Sequence, residues 1–366
     1  MAIIDVSSAA QLTTALGTTA THGDTVRLAP GTYNAPAGGF LCPKQIEIQG
    51  AHNAKSQLVG GSKIVCASAN DHGLVIQCQN VSVKDIIVRG PRNAAGDAVG
   101  TGNGIHLQTQ IRNFNTHSNT TVDNGDTAGF FAGQAVSGSG IPAGAFVSSV
   151  TNSTTFVLSA AATSTLTGTP LTFSGGTMTA LVLKDCVIWG AGNDGLNGNV
   201  GGSLNAILIE DCTIAMNGHH GVYIKDTHAG NLNRVFCHTN KFAGTMLENS
   251  SGFNVIGSSW ESNWTTAGTT DFDGQVYVKD GWGHYFAGCL WEVSGRICLS
   301  ISNHDGAHIA GCRFQGADRG IVLRNGSRGT AIAQNSWRTV TTKFDVEGEF
   351  TTIGSQRFLE RQADPP

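Results

Sequence analysis

The chain has 366 residues, 49 of them Gly and only 8 Pro, with 13% charged residues and a formal net charge of −4. Asp and Glu outnumber Lys and Arg, 26 against 22, which excludes a strongly basic nucleic-acid binder, and 40% apolar residues exclude a disordered chain. Glycine without a period of three excludes collagen, and so little charge leaves long solvated helices short of Glu and Lys, so a turn-rich β protein is expected.

The start, MAIIDVSSAAQL, lacks a basic stretch followed by an apolar one, so no export signal is expected, and no apolar run is long enough to span a membrane. Ser7 to Leu16 carries a short amphipathic helix pattern before HGDTVRLAPGTYN, suited to covering the open end of a solenoid. Nine Cys, an odd number without a CxxC pair, read as buried thiols; neither a zinc site nor a disulfide framework is expected.

Internal repetition dominates the rest of the chain. Short apolar segments align at VSVKDIIVRG, LVLKDCVIWG, ILIEDCTIAM, RVFCHTNKFA, FNVIGSSWES, HYFAGCLWEV, AHIAGCRFQG and TAIAQNSWRT. With Cys186 as register mark, the equivalents are Ile86, Cys212, Asn240, Ser258, Cys289, Cys312 and Asn335; the last two steps are both 23 residues. Apolar residues lie three and five before the mark, and two after it stand Ile188, Ile214, Phe242, Trp260, Trp291, Phe314 and Trp337, a period of two that faces them inward. Second strand signals follow at GIHL, GLNG, GVYI and GIVL, each opened by Gly. Repeats of about two dozen residues with three short strands predict an all-β, right-handed parallel β-helix of roughly nine or ten coils; the leucine-rich pattern is absent.

The repeat is interrupted once. No Lys or Arg occurs between Arg112 and Lys184, and the Thr, Ser, Ala and Gly there, with GIP and NS turns, predict a small antiparallel β module. The expected organisation is a cap and first coils over 1–112, the insertion over 113–176, and the remaining coils and tail over 177–366. Phe130 and Phe131 are assigned to the module's core. Asp123 and Asp126 are too few for a calcium cage, and neither metal nor cofactor is expected.

These residues carry a resemblance. GDTVRLAPGTY, IEIQGAHNAKSQLVGG and the recurring GCxF and GIxL segments resemble right-handed parallel β-helices of the pectate-lyase-like superfamily, most like phage tailspike or tail-associated polysaccharide depolymerases. The resemblance implies binding or cleavage of bacterial surface polysaccharide, a virion-tail or extracellular setting, and often a homotrimer, with no nucleic-acid or membrane partner. Polygalacturonase and calcium-dependent pectate-lyase motifs do not transfer: Asn193-Asp194-Gly195 and Gly218-His219-His220-Gly221 are partial matches only, and Arg89-Gly90-Pro91-Arg92 has the wrong spacing.

In a solenoid, residues at one register are neighbours about 4.8 Å apart. Three after the mark, facing outward, run Arg89, Trp189, Ala215, Ala243, Glu261, Glu292, Gln315 and Arg338. Glu261 and Glu292 form a candidate acid/base pair for glycoside cleavage, with Trp189 as a platform for a sugar ring; otherwise they are solvated charges paired with Arg313 or Arg338. The loop from Trp264 brings Trp264 and Asp273 to the same face as binding residues. A second cluster levels Asp194 with His220 and Asn103, so that the carboxyl orients the imidazole to activate water or to abstract a proton at C5 of a uronate; otherwise the group is a self-bonded turn. Lys225 follows as a binding residue. The leading expectation is a glycoside hydrolase, the alternatives a polysaccharide lyase using His220 or Lys225 and a non-catalytic glycan-binding tail protein.

Overall fold

The computed structural model describes all residues except 52–59, 92–97, 99, 109, 126, 128, 129, 131, 175–177, 200–203, 264–273, 293–295, 350, 351, 355, 356 and 359–366. Each repeat supplies three strands, here called a, b and c. In one coil they are Asn254–Ile256, Ser259–Glu261 and Gly274–Trp282, after which Tyr285–Ala287 opens the next coil. All pair in parallel with their equivalents one coil away; the b strands stack into an eleven-stranded sheet, and the a and c strands form a second sheet of 23 strands. The chain is a parallel β-helix.

The bend from a to b is the most regular element. The residue before each mark is left-handed, with φ of 52° at Asp185, 53° at Asp211, 51° at Arg234, 58° at Gly257, 60° at Gly288 and 63° at Gly311. Asp and Gly tolerate this region at low cost. The mark side chain then reaches back to the a strand of the preceding coil: Cys186 to the Val83 carbonyl at 3.5 Å, Ser258 to Leu232 at 3.1 Å, Cys289 to Val255 at 3.3 Å, and Asn335 Nδ2 to Ile309 at 3.0 Å. All nine cysteines are free and buried, and burial pushes the Cys237 thiol up to about 12.

One register mark differs from expectation. Thr213, Phe236 and Ser259 are successive partners on face b, so the mark between Cys212 and Ser258 is Val235, and the inward residue two beyond it is Cys237. Asn240, expected at the mark, belongs to a different column on the b-to-c corner. There the backbone N–H and Nδ2 of Asn217 donate to Asn240 Oδ1, those of Asn240 donate to Asn263 Oδ1, and those of Asn263 donate to Gln275 Oε1, at 2.7 to 3.1 Å. Over this stretch both columns step by 23 residues, 212 to 235 to 258 and 217 to 240 to 263, and both suit a self-bonding amide, which is why the sequence confuses them.

The interior is one continuous apolar column. Trp260, Trp291, Phe314 and Trp337 stack with ring centroids 5.0, 4.7 and 4.4 Å apart. The helix is shorter than the pattern suggested, Ala9–Thr14 capped by Ser8, continued by a wider turn Ala15–Thr19. The interrupting segment is a six-stranded antiparallel sheet from Gln110–Thr116 to Leu166–Ser174. Phe114, Phe156 and Phe173 centre its core, and Phe130 packs 4.0 Å from Phe173; Phe131 lies outside the described residues. The coils on either side of this sheet pair directly, Ile87 with Val187 and Ile105 with Leu196, so the solenoid continues across it.

This packing has two measurable consequences. Asn240→Ala strands the Asn217 amide donors and the Asn263 oxygen in a buried column; with about 1–3 kcal/mol for each unsatisfied group, the denaturation midpoint drops by an equivalent of about 3 kcal/mol or more. His284 and His304 are buried, with ring centroids 4.7 Å apart. Burial, with His304 adding for His284, lowers them to about 3 and about 4. The unfolded chain takes up these protons below about pH 6.5, so this stability is full above 6.5 and is lost as pH falls toward 4. Neither ring nitrogen of His304 has a hydrogen-bond partner, so melting curves of His304→Phe at pH 7 and pH 5 are expected to show undiminished stability at pH 7 and a smaller acid loss; an unchanged loss contradicts this account.

Candidate functional site

On face b, parallel pairing sets Glu261 directly beside Glu292, with His238 on the preceding rung and Gln315 on the following one. The position expected for Ala243 is held by His238, a consequence of the Val235 mark; Ala243 is buried, and Phe242 packs at 4.6 Å from the His219 ring. Both glutamates are exposed. Gln315 Nε2 donates to Glu292 at 3.1 Å. Burial lowers His238 against the pull of Glu261. Trp189 is half-buried, with the Arg89 guanidinium 5.2 Å from its ring centroid. Trp264 and Asp273 lie outside the described residues.

The corner between b and c holds a denser polar cluster. Gly104 pairs with Asp194 and Gly195 with His220 through backbone bonds, which puts Asn103, Asp194 and His220 at one level, as the sequence register implies. The rungs meet tightly here: a Cβ on Gly221 would stand 2.5 Å from the Gly244 carbonyl oxygen. Asp194 is 1% exposed and accepts from Asn197 Nδ2 at 2.6 Å, the His220 backbone N–H at 3.0 Å and Asn193 Nδ2 at 3.3 Å. Its imidazole partner is His219, whose Nδ1 lies 2.7 Å from Asp194 Oδ1. His220, the expected partner, contributes its backbone; its own ring is buried, has no bond at Nδ1, and is lowered to about 4 by burial and then by His219, against Asp194 and Glu248.

This arrangement has a chemical consequence. With three other donors already on the Asp194 carboxyl, His219 turns Nδ1 to it and leaves Nε2 as the ring nitrogen open to another partner, on a ring that is 37% exposed. On strand c, Tyr223 donates to Glu248 Oε2 at 2.7 Å, while Lys225 and Lys279 each stand 3.4 Å from Glu248 Oε1. Burial would raise the Glu248 carboxyl, but the Tyr223 hydroxyl and the two ammoniums together hold it below the usual range. Burial and then Glu248 raise Tyr223, which keeps its proton. One coil earlier His106 stacks on His72 at 4.4 Å and is lowered to about 4 by burial and His72, against Asn197 and Asp194.

Thus Asp194 holds His219 at the corner, and along strand c Glu248 gathers Tyr223, Lys225 and Lys279, with the Tyr223 ring 5.8 Å from that of His220, while Glu261 and Glu292 sit together on the neighbouring face. Tyr223, Glu248, Lys279 and His238 were not singled out from the sequence. Their signal is the shared register of GVYIK, GTMLE and GQVYVK, which pairs Lys225, Glu248 and Lys279 on successive rungs. Among the described residues, no group of three or more His, Cys, Asp or Glu is placed to hold a metal ion.

Known proteins share this architecture. A family model described as right handed beta helix region matches residues 182–341. No curated protein matches the chain by sequence. Among solved structures, the full-length tailspike protein 2 of an Escherichia coli O157:H7 bacteriophage superposes with a TM-score of 0.60 at 12% identity, over 94% of this chain and 40% of the tailspike. The enzymatically active domain of a bacteriophage tailspike protein 2 gives 0.54 at 13% identity, over 86% of this chain and 39% of that one. The chain therefore spans less than half the length of either. In fold, it is a right-handed parallel β-helix resembling phage tailspike proteins.

Proposed function

We propose that the protein binds and cleaves an acidic polysaccharide at the b-to-c corner, by β-elimination next to a uronate. The observation that carries this reading is the buried Asp194 holding His219 Nδ1, which leaves Nε2 as a base on an accessible ring. In the reaction, Nε2 takes the C5 proton, the C5–H electron pair becomes the C4–C5 double bond, and the C4–O bond breaks. The leaving oxygen takes a proton from Tyr223, which then recovers one from solvent as His219 returns its own. Lys225 and Lys279 supply positive charge beside the sugar carboxylate, whose negative charge grows in the transition state. The tailspike likeness supports a virion-tail or extracellular setting, bacterial surface polysaccharide as substrate class, and assembly as a homotrimer.

A second reading, hydrolysis by Glu261 and Glu292, is favoured by their direct pairing on adjacent strands, about 4.8 Å apart along the backbone, close to the carboxyl spacing of about 5–5.5 Å in retaining glycosidases. It asks that one carboxyl keep its proton, for which exposure of both is unfavourable.

The two reactions leave different products. Incubation with a panel of uronate-containing polysaccharides is expected to produce unsaturated-uronate absorbance together with new reducing ends. His219→Gln should lower kcat by about 10²–10⁴-fold, and His220→Gln by less, since its ring contributes no bond to the base. Glu261→Gln and Glu292→Gln should each retain most activity. Reducing ends without the absorbance, abolished by either glutamine substitution, would instead assign hydrolysis to the glutamate pair.

A further inference from the structure

Strand c ends at a second corner, separated from the Asp194 site by the nine-residue strand Gly274–Trp282 in the coil concerned. Trp282 closes that strand and is 60% exposed, whereas Trp260, Trp291 and Trp337 are buried and Trp189 is half-buried. Just past the turn, Tyr285 stacks on His308 of the next coil, ring centroids 5.0 Å apart and planes 23° from parallel, so its ring face is held in place. Exposed Asn254 lies on the rung beside Tyr285. Asp305 lies on the rung beside Trp282 and pairs with Arg328 at 3.4 Å, with both side chains more than half exposed.

We propose that this corner is a second, non-catalytic glycan-binding site, taking sugar rings of the same polysaccharide; it rests on the polysaccharide reading above. A pyranose presents a flat face of C–H groups and a rim of hydroxyls. Trp282 offers a ring face to the first, flanked by the half-buried Tyr285 ring that stacks on His308, while the Asn254 amide, whose Nδ2 donates to Asn231 at 3.2 Å, and the Asp305 and Arg328 pair offer acceptors and donors to the second. A second copy of the chain fits less well. Three rungs span only about 10 Å along the axis, and the exposed Trp282 ring is bordered by charges rather than set in the roughly 800 Å² of surface that a stable protein partner covers.

Native electrophoresis through gels cast with polygalacturonate, alginate or dextran tests the site, using the full chain. At least one polysaccharide is expected to retard the wild type and His219→Gln equally, since the latter leaves the second corner intact. Trp282→Ala should bind about tenfold more weakly, Trp282→Phe should retain most of the retardation, and kcat on short oligosaccharides should be unchanged in both. Equal retardation of Trp282→Ala and wild type overturns the proposal, as does the absence of retardation in every gel. A sedimentation mass that falls in Trp282→Ala also overturns it, by assigning the surface to self-association. Failure of the catalytic reading is separately visible as full activity in His219→Gln.

Discussion

The whole molecule hangs on the bend between strands a and b. A left-handed residue turns the chain, and the next side chain, Cys, Ser or Asn, donates back to an a-strand carbonyl of the preceding coil. Where a donor stands there, it reaches its acceptor only when the coil closes at the right length; at Val235, which has none, strand pairing and apolar packing hold the same pitch. Loops of varied length, including the whole six-stranded module, are tolerated between other strands, since that bend re-establishes the register afterward.

The b-to-c corner obeys a different constraint. Its backbone turns too irregularly for the sheet to satisfy every polar group, so asparagine amides and the Asp194 carboxyl complete the bonding. A buried carboxyl serving two coils at once, on a residue whose backbone N–H also donates to Asn103 of the preceding coil, cannot rearrange without stranding several donors, and this rigidity holds the His219 imidazole in one direction. The same polar density that stabilises the turn therefore equips it for proton transfer. Face b offers the glutamates no comparable support, because a regular strand satisfies its own backbone and leaves its outward side chains to solvent.

Much of this was legible in the residues. The pairing of Glu261 with Glu292 follows from Ser258 and Cys289 despite a 31-residue coil, since both glutamates stand three beyond the bend. The level of Asn103, Asp194 and His220 follows from the glycines that open GIHL, GLNG and GVYI. Two choices were not legible. Asn240 and Val235 compete for one mark within five residues, and only the strand pairing decides. His219 and His220 are adjacent in a turn, where side-chain direction depends on local dihedrals rather than on a period of two, so which imidazole meets Asp194 was open.

By itself the sequence determined the solenoid, its three-strand coil, the uncharged insertion and the inward aromatic column, because each is written as a repeated pattern of apolar residues, glycines and small polar marks. The tertiary structure alone decided which imidazole Asp194 holds, that Lys225, Glu248 and Lys279 share one charge network with Tyr223, and that Trp282 stands exposed while Trp260, Trp291 and Trp337 are stacked inside. Periodicity assigns a residue to a face. Contacts at a corner depend on backbone angles and on side chains brought in from neighbouring coils, which no linear spacing encodes.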